Sequence, residues 1–100
     1  QGLKTVLWGS GSKATAFLTT LGIQDEIGYV VDINPYRQGK YQAGSGHQII
    51  SPKDLQEYQP DMIVAMNPVY CDEIQSTMNE MKIDAQLVAI TDTRRERSHV

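Results

Sequence analysis

One cysteine and two histidines are all the thiol and imidazole this 100-residue chain contains, and each scarcity removes a class of structure. Cys71 alone cannot close an internal disulfide, and with His47 and His99 it makes no recognised zinc spacing, so neither a disulfide scaffold nor a structural metal site is expected. No apolar run approaches the ~20 residues needed to span a bilayer, and no signal-peptide succession opens the chain. The expected location is therefore cytoplasmic. Excess positive charge is also missing: nine Lys and Arg face twelve Asp and Glu, a net charge of -3 at pH 7. With an isoelectric point near 5.2, a general nucleic-acid or anionic-membrane binder is not expected. Arg94, Arg95 and Arg97 are offset by Asp92 and Glu96 and read as a solvated tail.

What is present is the composition of one small globular domain, 40% apolar and 21% charged. Residues 3–8 (LKTVLW) form an apolar run that stops at Gly9-Ser10-Gly11, the profile of a buried strand ending in a turn. Ala14, Phe17, Leu18 and Leu21 then recur on one helical face, with Ser12 placed to cap the helix and Gly22 to end it. Residues 28–33 (GYVVDI) predict a second strand. Residues 34–48 carry no helical or alternating pattern, only glycines, rings, Arg37 and Lys40, and a loop of that length is usually functional or mobile. Ile49-Ile50 adds a short strand, and Ser51-Pro52-Lys53-Asp54 starts a short helix with Ser51 as cap. Residues 61–66 (DMIVAM) predict the third main strand. A helix presenting Cys71, Ile74, Met78 and Met81 on one face follows, and residues 86–90 (QLVAI) form the last strand.

Strands alternating with helices call for an α/β, Rossmann-like, doubly wound and mainly parallel sheet of four to five strands with helices on both faces. The expected order of the main strands is second, first, third, fourth, which opens a crevice between the first and third. Trp8 either packs in the sheet or borders that crevice. The chain opens on Gln1-Gly2 without a methionine and reads as a segment of something longer, with residues 1–2 a remnant, 3–91 the domain and 92–100 a charged tail.

Gly9-Ser10-Gly11-Ser12-Lys13-Ala14 fits Gly-x-Gly-x-x-(Gly/Ala) between a strand and a helix, and Asp32 ends the next strand. Glycines there permit a tight turn and close approach of a ligand, N–H groups at the helix start can hold a phosphate beside the Lys13 ammonium, and Asp32 can accept from a ribose. The alternative is a turn that binds nothing, with Asp32 capping a loop. The spacing is not that of a Walker A loop. Acidic Asp72 and Glu73 would repel a phosphate from the third helix, which places the expected anion near Lys13. The segment from Asp32 through Asn34, Tyr36, Arg37 and Lys40 to Tyr41 brings rings and cations to the carboxyl end of the second strand, for a base and phosphate or simply as a solvated loop. His47 is a proton carrier or a structural residue. Asn67 and Tyr70 follow the third main strand, as ligand-facing groups or as turn residues.

Three blocks in this order, VLWGSGSKATAFL, YVVDINPYRQGKY with AGSGHQIISP, and MIVAMNPVYCDEI, resemble the C-terminal domain of S-adenosylmethionine-dependent C-methyltransferases that act on nucleotide-linked sugars. The resemblance implies a parent enzyme with an N-terminal zinc-binding part, a central domain for the methyl donor, and this Rossmann-like part, which helps enclose a nucleotide diphosphate sugar. It implies that the glycine motif here is not the methyl-donor site, that S-adenosylmethionine and zinc belong to other domains, and that the neighbouring methyltransferase domain is a partner while nucleic acid and membrane are not. The family pattern often has glycine after the Lys, where this chain has Ala14. A ligand-facing role carries over to Gly9, Ser10, Gly11, Ser12, Lys13, Asp32, Asn34, Tyr36, Lys40, Tyr41, His47, Asn67 and Tyr70. No catalytic or metal-binding residue is expected. The expected function is a non-catalytic substrate-binding module; an NAD(P)-binding domain and a purely structural packing module are the alternatives.

Overall fold

The computed structural model describes residues 3–20, 22, 26–42 and 44–90, with Ser12 by its backbone only. Leu21 and the charged tail lie outside the described residues. Strands β1 (Thr5–Trp8), β2 (Tyr29–Val31), β3 (Ile49–Ile50), β4 (Met62–Ala65) and β5 (Gln86–Ala89) form one sheet in the order β3-β2-β1-β4-β5. Every strand pair is parallel. The main strands therefore stand second, first, third, fourth, as the sequence predicts, with β3 added at the edge.

Helices α1 (Ser12–Thr20), α2 (Asp54–Tyr58) and α3 (Cys71–Met81) connect them. Because side chains alternate along a strand, the inner strands feed two cores. Leu7, Val30 and Ile49 face Ala14 and Leu18 of α1. Val6, Trp8, Val31, Ile50, Ile63 and Ala65 face Leu55 of α2 and Ile74 and Met78 of α3. Trp8 is thus a core residue of the α2/α3 face, buried in the sheet.

Two caps differ from expectation. Gly11, not Ser12, stands just ahead of the first turn of α1: its carbonyl accepts the first helical bond from Thr15 N at 3.0 Å, at a φ of +106° that residues with a side chain rarely adopt. At α2 the bond runs opposite to a serine cap, since the Asp54 carboxylate accepts from Ser51 N–H at 3.2 Å. Gly22 does close α1, at φ 64° with its N–H on Thr19 O.

The patternless stretch before β3 is a hydrogen-bonded arm. Gly39 N donates to Ile49 O and Ile49 N to Lys40 O, both at 2.7 Å, Gln42 N donates to His47 O at 2.6 Å, and Tyr41 bridges Gln48 antiparallel. The arm covers backbone groups that the two-residue edge strand would otherwise present to water. It then folds onto α1: a Cβ on Gly44 would lie 2.8 Å from Thr19 Cγ2 and 3.3 Å from Thr15 Cγ2.

Candidate functional site

The glycine turn leaves β1 at its carboxyl end with Gly9 at φ 114° and Gly11 at φ 106°. Its two flanks are unlike. On the side of β4, a Cβ on Gly9 would meet Tyr70 Cε2 at 3.0 Å and Met66 Cβ at 3.3 Å. Tyr70 packs against both cores, so its ring fills the crevice expected between β1 and β4 at this point. Asn67 serves as a cap: its side-chain oxygen accepts from Val69 N at 3.1 Å and opens a 3-10 turn over Pro68–Tyr70.

On the side of β2 the turn is open. A cavity of about 520 Å³ is lined by Gly11, Thr15 and Ala16 of the turn and α1, by Arg37, Lys40, Tyr41 and Gln42 of the arm, and by Ile49. Arg37 crosses the turn, its Nη1 donating to Ser10 Oγ at 3.1 Å and standing 3.4 Å from where a Gly11 Cβ would be. Ser10 Oγ in turn donates to Asp32 Oδ2. Asp32 Oδ1 accepts from Asn34 N at 2.8 Å, and the Asn34 side chain accepts from Tyr36 N at 3.0 Å. These links fix the arm's root, and Gln38 Nε2 adds a bond to Asp32 O at 2.8 Å.

Gln42 fixes the arm's far end. It is 4% exposed, and its Nε2 donates to Gly11 O at 3.1 Å and to Thr15 Oγ1 at 2.6 Å. Its Oε1 is buried without a hydrogen-bond partner. The cavity thus joins a helix start, two cations, an aromatic ring and an apolar floor, a set suited to an anion carrying a flat apolar group.

Of the residues given a ligand-facing role in the sequence, Gly11, Lys40 and Tyr41 line this cavity. Gly9, Ser10, Asp32 and Asn34 stand behind it in the turn and its hydrogen-bond network. Lys13 is exposed and outside the lining, so the cation over the turn is Arg37. Ser12 enters only as the first residue of α1, and Tyr36 is 82% exposed. Asn67 and Tyr70 lie on the other flank. His47 is buried, its Nδ1 2.8 Å from Ser45 Oγ, in a second cavity of about 420 Å³ that shares only Tyr41 with the first. Sequence reasoning missed Gln42; its one signal is an amide in a glycine-bounded stretch beside two cations.

The C-methyltransferase C-terminal domain family model matches residues 1–90. The chain belongs to this family. No curated protein matches it in sequence. Among solved structures, this C-methyltransferase C-terminal domain is similar in fold to the crystal structure of RSP, a Rex-family repressor, at TM-score 0.60 and 12% identity over 97% of this chain and 56% of that one. The crystal structure of RSP in complex with beta-NADH matches at the same TM-score and identity, over 97% and 57%. The domain spans little more than half the length of those chains, and at such identity the likeness shows the fold alone. Among the described residues no three His, Cys, Asp or Glu side chains come together as a metal would require, and no helix is long and apolar enough to cross a membrane.

Proposed function

We propose that this C-methyltransferase C-terminal domain is the substrate-holding module of an S-adenosylmethionine-dependent enzyme acting on a nucleotide-linked sugar. The observation that carries this reading is the open flank of the glycine turn, where Arg37 and Lys40 meet the α1 start beside Tyr41. A diphosphate would take the cations and the first-turn N–H groups, and the base would lie against Tyr41, Ala16 and Ile49. Holding the nucleotide fixes the sugar relative to a methyl donor bound by the neighbouring domain, which is how such a module contributes to rate. Methylation at carbon needs a proton removed beside a carbonyl. His47 sits in a different cavity from the cations, so the base, like the zinc and the methyl donor, is assigned to the rest of the parent enzyme.

A second reading, NAD(P) binding, is favoured by Asp32 at the end of β2 and by the bound beta-NADH of the structural neighbour. Against it, a dinucleotide crosses the point where strand order reverses, and here Tyr70 and Met66 fill that point at Gly9. Calorimetric titration of the chain with a thymidine diphosphate sugar, NAD and S-adenosylmethionine separates the readings. Binding of the sugar nucleotide alone is expected. Preference for NAD would overturn the first reading, and no binding to any of the three would favour a packing module.

A further inference from the structure

We infer that Gln42, in place of Asp32, is the side chain that accepts a hydroxyl from the ligand's ribose; the inference rests on the nucleotide reading above. The Gly11 carbonyl has no hydrogen to give, so the amide of Gln42 must present Nε2 to it, at 3.1 Å, and Oε1 is thereby committed as an acceptor. That oxygen has no donor in the free chain. Buried carbonyls are nearly always paired, and an exception in the wall of a cavity points to a ligand that supplies the missing hydrogen. The acid that ordinarily meets a ribose at the end of the second strand stands outside the cavity lining here, turned to the root of the arm, where Asp32 accepts from Asn34 N–H through one oxygen and from the Ser10 hydroxyl through the other.

Placement agrees with this role. Gly11 belongs to the turn that would receive the phosphate and is also the residue Gln42 holds, and Gln42 lines the same cavity as the two cations. Arg37 and Lys40 precede Gln42 on the same arm, and Tyr41 stands next to it. Because Oε1 is closed from water, a hydroxyl reaches it only as the cavity wall gives way, and Tyr41, 67% exposed, is the ring in that wall.

The test compares uridine diphosphate with 2′,3′-dideoxyuridine diphosphate on the unmodified chain and on Gln42→Met. The unmodified chain should bind the hydroxylated probe roughly tenfold more tightly, and Gln42→Met should bind both equally and at the weaker level. Should Gln42→Met fail to fold, the Gln42 side-chain carbonyl resonance of the unmodified chain should still shift with uridine diphosphate and not with the dideoxy probe. Equal binding of both probes to the unmodified chain overturns the role of Gln42 and leaves the nucleotide reading standing, as does full discrimination by Gln42→Met. Binding of neither overturns the role of Gln42, and together with no binding of the thymidine diphosphate sugar it overturns the nucleotide reading as well.

Discussion

The two flanks of the glycine turn share a backbone and differ in what the following loops bring to them. Toward β4, the chain after Ala65 returns at once as a 3-10 turn and α3, and this short path lays Tyr70 and Met66 onto Gly9. Toward β2, the chain after Val31 makes an arm that is pinned at Asp32 and Gln42 and arches between those pins, leaving a cavity under Arg37 and Lys40. A Gly-x-Gly turn is therefore necessary for close approach on either side but does not choose the side. In this chain the loop after β2 makes that choice.

Five substitutions would break or sharpen the contrast. The largest effect is expected on the closed flank: Gly9→Val combines a φ of 114° with contacts at 3.0 and 3.3 Å and should cost roughly 3 kcal/mol or more in urea unfolding. Gly39→Ala, also at positive φ but with nothing within 4 Å, should cost only about 1 kcal/mol. Next, Tyr70→Ala should cost about 2 kcal/mol of stability by emptying the closed flank, while nucleotide affinity measured by calorimetry stays within about twofold. Loss of binding in that variant would move the ligand to the β1/β4 crevice. Third, Arg37→Ala should lose about 1.5–3 kcal/mol of nucleotide binding, the range for a charge-assisted hydrogen bond. Lys13→Ala, exposed and outside the cavity, should change both affinity and stability by about 0.5 kcal/mol at most.

The smallest effect lies far from both flanks, at Tyr58. Burial raises its pKa above the ordinary tyrosine value, and Tyr29 and Asp61 add to the shift. The folded chain therefore favours the neutral phenol: this contribution to stability is complete below the ordinary value of about 10 and is lost as pH rises from there through the raised one. Tyr58→Phe should flatten that alkaline decline in urea titrations above about pH 10. A decline of unchanged steepness would assign it to other groups.

The strands were legible because β-branched runs bounded by turns leave few other options, and their alternation with helices dictated parallel order, down to β2-β1-β4-β5. The turn was legible because Gly9 and Gly11 are the residues that tolerate its positive φ. The arm was not, since its pairing is made by the backbones of Gly39, Lys40 and Gln42, which leave no alternation of side chains to read. Gln42 and Arg37 acquire their places only once the arm folds onto α1, and Tyr70's position over Gly9 depends on the return of α3. Two helix ends were equally silent: α2 and α3 close on Gln59 and Lys82 in left-handed conformation, at φ 54° and 55°, where no glycine marks the stop.

The most direct test of the open flank is a backbone amide NMR titration of the chain with uridine diphosphate. Shifts concentrated at Gly11, Thr15 and residues 37–42, with Gly9, Asn67 and Tyr70 little changed, are expected. Shifts concentrated at Gly9, Asn67 and Tyr70 would contradict it, and would return the ligand to the crevice that Tyr70 fills.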